Sequence, residues 1–150
     1  MGTENEALWH MRALVYRGFA RTGASPALEE LARELGLDEA STRSLLAELG
    51  RRHAVVPTED GRGVLMANPF SAVPTPFRVT AGGVRFWANC AWDMLGIPAA
   101  LGTDATIHAT CATDGTGVEL RVVDGVVVGE PGIVHFLTPF RHWYDDIRHT

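Results

Sequence analysis

The sequence predicts an α+β fold: an N-terminal three-helix, winged-helix-like module (residues 1–67) packed on a β-rich domain with one functional helix (residues 68–150). Three observations lead to this prediction. Apolar residues recur at helical spacing through the first third of the chain. Three prolines then fall within residues 69–76, which is typical of a stiff connector. Beyond them, short runs rich in Val, Gly and Thr are typical of strands.

Composition limits the classes of protein to which the chain can belong. It has 150 residues, of which 46% are hydrophobic and 21% charged, and its formal net charge is −5. This is enough apolar material for one domain, or for two small ones that share a core, and it excludes bulk disorder. The acidic balance disfavours a general nucleic-acid binder.

The sequence pattern predicts neither a membrane-spanning segment nor a signal peptide. No apolar run approaches the roughly 20 residues of a membrane span. The first 20 residues contain Glu4 and Glu6 and lack an apolar core, so no signal peptide is expected. Because there are only two cysteines, 21 positions apart, we expect a cytoplasmic protein with reduced thiols.

Three helices are expected in the N-terminal module. The first covers residues 4–21. The second has Ser25 as its N-cap and Pro26 at its first position, and it ends at Gly36. The third covers residues 38–50. The inward-facing residues of the three are Leu8, Met11, Leu14, Val15, Phe19, Leu28, Leu31, Ala32, Leu35, Leu45, Leu46 and Leu49.

A hairpin follows the helices, with strands at residues 55–56 and 64–66 and a Gly-rich tip between them. Three helices and a hairpin are typical of a winged helix-turn-helix, whose third helix can enter a DNA major groove. Asp38, Glu39 and Glu48 on that helix would face phosphates unfavourably. The arginines that partly offset them are Arg43, Arg51 and Arg52. A structural or docking role is therefore the favoured interpretation of the module.

Residues 68–77 form the predicted connector, and the domain boundary is placed near residue 68. Each proline fixes its own φ and pushes the preceding residue to extended geometry. Phe70 and Phe77 are expected to anchor this connector to a core.

Residues 85–98 are predicted to form a short helix that ends before Pro98. On such a helix Cys90 and Asp93 would lie on one face. A carboxylate beside a thiol disfavours the thiolate, unless a cation or a bound metal intervenes. The alternative is structural, since a free cysteine is commonly a small buried hydrophobe and a helical aspartate is commonly solvated.

Strands dominate the remaining prediction. They are expected at residues 105–110, 118–123, 126–128 and 133–137, with turns at residues 124–125 and 130–132. A short helix is expected after Thr138, where Arg141 and Asp145 would form an i, i+4 pair.

Three motifs occur in order along residues 68–128. They are Arg85-Phe86-Trp87-Ala88-Asn89-Cys90-Ala91-Trp92-Asp93, then Ile97-Pro98-Ala99-Ala100-Leu101-Gly102, then His108-Ala109-Thr110-Cys111 with Gly115 and Gly117. In this order and spacing they resemble the organomercurial lyase (alkylmercury lyase) family. The three-helix module and its hairpin also fit that family's N-terminal part, so the likeness spans most of the chain.

The resemblance implies protonolytic cleavage of a carbon–mercury bond, which gives a hydrocarbon and Hg(II). Cys90 would bind the mercury, since a thiolate is the softest ligand a protein offers. Asp93 would protonate the departing carbon. The implied metal ligands are Cys90, Asp93 and, as a further candidate, Cys111.

An apolar pocket for the organic group is expected from Phe86, Trp87 and Trp92, with core packing as the alternative for at least two of them. No cofactor is required, because mercury is part of the substrate. The implied partners are a small organomercurial, small thiols that assist product removal and, by family analogy, mercuric reductase. Neither nucleic acid nor a membrane is expected as a partner.

The family mechanism also uses a second thiol, from a segment C-terminal to everything present here. Residues 145–150 resemble the approach to that segment, so we expect either a short, divergent member or a fragment. Within the chain, Cys111 is the other thiol, expected to be structural after the strand at residues 105–110. His135 and His142 are substitute candidates, although isolated histidines are commonly core or surface residues.

Other functions remain open at this point. The chain could be a non-catalytic soft-metal (Hg or Cu) binding protein that keeps Cys90 and Asp93 as ligands. It could be a metal-responsive winged-helix transcription regulator. A third alternative is a scaffold adapted to another substrate, in which Cys90 attacks a carbon or sulfur electrophile.

Overall fold

A computed structural model describes residues 2–130, 132–136 and 138–147. The helices are α1 (Gly2–Thr22), α2 (Leu28–Leu35), α3 (Glu39–Arg51), α4 (Asp93–Leu101) and a 3₁₀ helix (Phe140–Asp145). The strands are β1 (Val56–Pro57), β2 (Val64–Ala67), β3 (Phe70–Ser71), β4 (Arg78–Ala81), β5 (Val84–Ala88), β6 (Ala105–Thr110), β7 (Gly117–Val123) and β8 (Val126–Gly129). The predicted α+β class is confirmed. Among the described helices, none combines the length and hydropathy that a bilayer crossing requires.

The described strands form one antiparallel sheet in the order β1-β2-β3-β5-β4-β6-β7-β8. The N-terminal hairpin is therefore an edge of the same sheet that carries β4 to β8. Ala67 of β2 pairs with Phe70 of β3, directly across the expected boundary at residue 68. Hydrogen bonds of one sheet thus cross the predicted boundary. The division into two domains stays a prediction.

An aromatic row joins the helices to the sheet. Phe19 of α1 stacks on Phe70 of β3, with ring centroids 5.5 Å apart and ring planes 8° apart. Phe70 in turn contacts Phe86 of β5 at 5.6 Å. All three rings are buried, and apolar side chains of α1, α2 and α3 extend the same core: Leu8, Met11, Val15, Leu28, Leu31, Leu46 and Leu49. The helices and the sheet thus share one hydrophobic core.

The predicted helices α1 and α3 are confirmed, and Asp38 caps α3 by accepting a hydrogen bond from the Ser41 N–H at 2.7 Å. The predicted start of α2 is wrong. Ala27, and not Ser25, holds the N-cap position. Buried Pro26 packs against Gly18 of α1, where an added Cβ would lie 2.7 Å from the proline ring. Ala27 has an extended backbone, with φ −69° and ψ 153°, and the helix begins at Leu28.

The predicted helix over residues 85–98 is the largest error. Residues 84–88 form strand β5, because Phe86 and Ala88 alternate inward into the core while Arg85 points to solvent. Helix α4 begins only at Asp93 and continues past Pro98, whose ring is buried, to Leu101. Gly102, with a φ of +60°, then ends the helix in the left-handed conformation.

The connector is more structured than predicted, because Phe70 and Ser71 form β3 between β2 and β5. The expected anchors are confirmed: Phe70 is buried, and Phe77 is partly buried against the core. Residues 72–77 have no regular structure and run along the end of β5, where they form one wall of the site described below.

Strands β6, β7 and β8 and the turn at residues 124–125 are confirmed. The predicted strand at 133–137 is wrong for residues 133–136, which have no regular structure, while Leu137 lies outside the described residues. Pro131 of a predicted turn and residues 148–150 also lie outside them.

The short helix after Thr138 is present as a 3₁₀ helix, but Asp145 accepts a hydrogen bond from His142 at 2.9 Å and not from Arg141. With three residues per turn, a 3₁₀ helix aligns positions i and i+3. The predicted i, i+4 pair is therefore wrong.

Candidate active site

Cys90 and Asp93 lie in the turn that leads from β5 into α4. The Cys90 thiol donates to Asp93 Oδ2 across 3.4 Å, and the Asp93 backbone N–H donates to Cys90 Sγ across 3.4 Å. The Cys90 carbonyl accepts from the Met94 N–H at 3.1 Å. The sequence predicted that Cys90 and Asp93 would share one face of a helix. In the structure they are instead brought together at the start of α4. At this position the sulfur also faces the positive end of the helix dipole.

Burial governs the protonation of both groups. It raises the pKa of the Cys90 thiol; the N–H bond from Asp93 lowers that pKa, and the nearby Asp93 carboxylate raises it again. Burial also raises the pKa of Asp93, while hydrogen bonds from the Cys90 and Asn89 side chains lower it in part. At rest the thiol therefore keeps its proton, which lies on the line to the carboxylate.

Asn89 ties the site to the preceding connector. Its side-chain N–H₂ donates to Asn68 Oδ1 at 2.8 Å, and its backbone N–H donates to the Pro69 carbonyl at 3.3 Å. Thr75 donates to the Ala88 carbonyl at 2.7 Å, immediately before the site. These bonds fix residues 68–75 against the end of β5. The carbonyl oxygen of the Asn89 side chain is buried without a partner among the described residues.

Cys90 and Asp93 line a cavity of about 320 Å³. Its other described lining residues come from β2 and β3, from the connector and from the C-terminal residues: Met66, Asn68, Ser71, Val73, Pro74, Thr75, Pro76, Asn89, Phe136, Trp143 and Ile147. The cavity is thus lined by a thiol, a carboxyl group and several apolar side chains. This is the arrangement that a soft cation carrying an organic group would require.

The three aromatic residues expected to form the substrate pocket do not lie there. Phe86 is 1% exposed and packs in the core against Phe70. Trp92 is 62% exposed to solvent. Trp87 lies on β5, paired with Ser71 and with Arg78. None of the three is among the described residues that line the cavity. The strand conformation of residues 84–88 turns Phe86 into the core, and Trp92 lies beyond that strand, in the turn before α4.

The substitute ligands are also placed elsewhere. Cys111 follows β6 in the turn to β7, where its backbone N–H donates to the Thr116 carbonyl at 2.8 Å. His142 hydrogen-bonds Asp145, and His135 is exposed. Neither Cys111 nor either histidine is among the described residues that line the cavity. In the described part of the chain, no three His, Cys, Asp or Glu side chains form a group able to hold a metal ion.

Three apolar residues that line the cavity were not predicted from the sequence. Phe136, Trp143 and Ile147 come from a stretch more than 40 residues downstream of Cys90, so no local spacing connects them with it. The one available sequence signal was the concentration of aromatic residues between positions 136 and 144.

Most of the β-rich part of the chain matches a known protein family. The family model for alkylmercury lyase matches residues 70–149, which is more than half of the chain and includes Cys90, Asp93 and the C-terminal cavity residues. The chain belongs to the alkylmercury lyase family. The resemblance inferred from the sequence motifs is therefore confirmed.

A solved structure shows the same fold. It is described as the crystal structure of the mercury-bound form of MerB2, and it superposes with a TM-score of 0.65 at 26% sequence identity. The alignment covers 82% of this alkylmercury lyase family member but only 58% of the MerB2 chain. A comparison with curated proteins gave no match.

Proposed function

We propose that this protein cleaves the carbon–mercury bond of organomercurials, with Cys90 as the mercury ligand and Asp93 as the proton donor. The observation that carries the proposal is the thiol–carboxyl contact of 3.4 Å at a cavity with an apolar wall. Family membership and the likeness to a mercury-bound structure support the same chemistry.

The first step binds the metal. An organomercury cation, R–Hg⁺, bonds to the Cys90 sulfur, and the thiol proton moves along the existing hydrogen bond to the Asp93 carboxylate. Burial disfavours the ionised form of each group, so the free site resists losing this proton. A soft cation reverses that preference at the sulfur, because the mercury–thiolate bond replaces the S–H bond.

The second step releases the hydrocarbon. The proton moves from Asp93 to the carbon of the carbon–mercury bond, and the bonding electron pair stays with that carbon. R–H leaves, Hg(II) stays on the Cys90 thiolate, and the Asp93 carboxylate is restored. One proton is transferred and no electron is gained or lost.

Small thiols complete the proposed cycle by taking Hg(II) from Cys90, since a second soft ligand competes for the same metal. By family analogy the mercury–thiol product is passed on to mercuric reductase. The cycle consumes reduced thiols, and a reducing compartment such as the cytoplasm therefore suits it.

The direct test is benzene release from phenylmercury in excess small thiol, with the protein-free mixture as the blank. We expect release by the wild type, no release above the blank by Cys90→Ser, and at least about 100-fold slower release by Asp93→Ala. Mercury binding without any benzene from the wild type would contradict the proposal and would identify a non-catalytic metal-binding protein.

The paired arginines of the helical module disfavour the regulator alternative. Arg43 pairs with Glu39 at 2.6 Å, and Arg51 and Arg52 both pair with Glu48. Carboxylates thus already neutralise the charges that would contact phosphates on α3. A gel shift at low salt, with and without Hg²⁺, should show no duplex binding.

A further inference from the structure

We propose that strand β8 is a self-association edge, through which two copies of this chain pair into one continuous antiparallel sheet. Residues 125–129 have the sequence Gly-Val-Val-Val-Gly, which is the same in both directions. In the described part of the chain, β8 is the last strand of the sheet and has a neighbour on one side only. Its valines Val126, Val127 and Val128 are 62%, 50% and 40% exposed. The inference goes beyond the proposed function, because it involves no mercury chemistry.

The two edges of the sheet differ in how they are protected. Strand β1 has two residues, an irregular register with β2 and a proline, Pro57. Helix α3 also packs against it, since a Cβ added at Gly50 would lie 2.9 Å from the Pro57 ring. Prolines, irregular pairing and covering elements all prevent association at a sheet edge. Strand β8 has four residues in regular register with β7, and it contains neither proline nor a charged residue.

The turn before β8 determines which backbone groups of the strand are directed outward. Asp124 and Gly125 form a two-residue hairpin loop, and both have positive φ, 51° and 76°, as in a type I′ turn. In such a hairpin the pair that flanks the loop is hydrogen-bonded, and the next pair is not. Val127 and Val122 form this next pair. The N–H and C=O of Val127 therefore point away from β7, towards the open edge.

The palindromic sequence makes a second copy of β8 the matching partner. Antiparallel pairing about a two-fold axis at Val127 places Val127 of each copy opposite the other, and Val126 opposite Val128 of the second copy. Gly125 then lies opposite Gly129, so no side chain obstructs the ends of the pairing. Cross-strand pairs of β-branched residues stabilise antiparallel sheets, and two-fold dimers are the commonest homo-oligomers. A second copy thus provides partners for both the outward backbone groups and the exposed valines.

The helices are placed so that they do not obstruct this pairing. Helix α1 contacts β2 and β5, and α4 contacts β4 and β5. Strands β6, β7 and β8 lie between these contacts and the open edge. At about 4.8 Å per strand, β4 of one copy would lie about 34 Å from β4 of the other. None of the described residues that line the Cys90 cavity belongs to β7 or β8, so the pairing leaves that cavity accessible.

Acidic residues at both ends of β8 limit the strength of the dimer. In the two-fold register Asp124 lies next to Glu130 of the second copy, and the same pair recurs at the other end. Like charges that face each other across strands are destabilising, and salt screens them. Pairing of five residues per chain is also small against the roughly 1,200–2,000 Å² of a stable interface. We therefore expect a weak dimer that becomes tighter as the salt concentration rises.

The test is sedimentation velocity of the full chain in reducing buffer, over a series of protein and salt concentrations. The mean mass of the wild type should rise towards that of a dimer as the protein concentration increases. Val127→Pro removes an N–H that β7 does not use, so it should weaken association at least about tenfold while the hairpin stays intact. Val127→Thr keeps that N–H and a β-branched side chain, and it should stay within about threefold of the wild type.

A charge reversal tests the register and cannot be imitated by misfolding. Glu130→Lys turns both like-charge pairs into attractive ones, so it should tighten the dimer at least about fivefold and reverse its salt dependence. Glu34→Lys makes the same change of charge on α2 and is the matched control, with no such tightening expected. A wild type that stays monomeric at every protein and salt concentration would overturn the proposal. Dimers that are insensitive to both Val127→Pro and Glu130→Lys would place the contact elsewhere and would also overturn it.

Discussion

The tetrapeptide Cys-Ala-x-Asp occurs twice in this chain, at residues 90–93 and 111–114, and the two copies have opposite electrostatic environments. In the first copy, Asp93 is partly buried at the start of α4 and its pKa is raised. In the second copy, Asp114 is exposed in the turn between β6 and β7. It accepts from the Thr116 N–H at 3.0 Å and the Thr116 hydroxyl at 2.7 Å, and these bonds lower its pKa.

The comparison shows that spacing alone does not make the candidate site. The Cys90 thiol donates to Asp93 across 3.4 Å, and the Cys111 side chain contributes to the lowered pKa of Asp114. In the first copy the pair faces a cavity, and burial raises the pKa of both groups. In the second copy the carboxylate is held in its ionised form by a local turn, and neither Cys111 nor Asp114 is among the described residues that line the cavity.

The largest expected difference is between the two thiols. Cys90→Ser should reduce benzene release from phenylmercury by at least about 1000-fold, because a hydroxyl is a hard and weakly nucleophilic replacement. Cys111→Ser should keep release within about threefold of the wild type. Comparable losses in both variants would show that the second thiol shares the mercury and that the two copies act together.

The second largest expected difference is between substitutions of the two aspartates. Asp93→Asn keeps the shape of the side chain but cannot donate an acidic proton, so the rate of hydrocarbon release should fall by about 100-fold or more. Asp114→Asn should leave the rate within about twofold. Single-turnover release after loading one equivalent of phenylmercury isolates this step from product removal. Equal rates for Asp93→Asn and the wild type would exclude Asp93 as the donor.

Thiol reactivity provides a smaller and mercury-free test. Because the Asp93 carboxylate raises the pKa of Cys90, its removal should shift the alkylation of Cys90 by iodoacetamide to lower pH. We expect this shift in Asp93→Asn, measured in a Cys111→Ser background so that one thiol reacts. Asp114→Asn in the same background serves as the control and should not move the profile. An upward shift in Asp93→Asn would mean that the carboxylate stabilises the thiolate.

The smallest effect is on stability, and its sign should differ between the copies. The raised pKa of Asp93 means that the folded state holds this proton more tightly than the unfolded state, so the wild type loses stability as pH rises above the ordinary aspartate value near 4. As the pH rises above this value, the Tm of Asp93→Asn should therefore increase relative to the Tm of the wild type.

The lowered pKa of Asp114 gives the opposite dependence. The Asp114 carboxylate stabilises the folded state at pH values above the ordinary aspartate pKa. This stabilisation is lost as the pH falls through the lower pKa that Asp114 has in the folded state. Asp114→Asn should have a lower Tm than the wild type at neutral pH, and the difference should shrink in acid. Thermal melts of both variants from pH 3 to 7 measure the two trends, and parallel trends would contradict the contrast.

Local patterns predicted most of the fold. The amphipathic spacing of α1 and α3, the glycine after α2 and the Asp124-Gly125 turn each specify an element through neighbouring residues. The segment 84–88 was predicted wrongly because its side chains suit either conformation. Its strand state is decided by pairing with β3 and β4, which lie on both sides of it in the sheet. The residues next to this segment in the sequence do not predict that pairing.

The candidate site also contains residues that the local sequence could predict and residues that it could not. Cys90 and Asp93 are three residues apart, so a sequence motif could find them, although the turn that joins them differs from the predicted helix. Trp143 and Ile147 line the cavity from a segment in which Tyr144 contacts His53, 91 positions earlier in the chain. Long-range packing of this kind cannot be inferred from spacing in one sequence.

The uninterrupted sheet constrains how the protein can be dissected or recombined. A cut at residue 68 would separate β2 from β3 and would part Phe19 from Phe70, leaving each piece with an open strand edge and a bare aromatic surface. Open strand edges of this kind favour aggregation. A chimera that takes its helices from a relative should therefore also take the hairpin and β3, so that the grafted junction falls in the proline-rich stretch after Ser71.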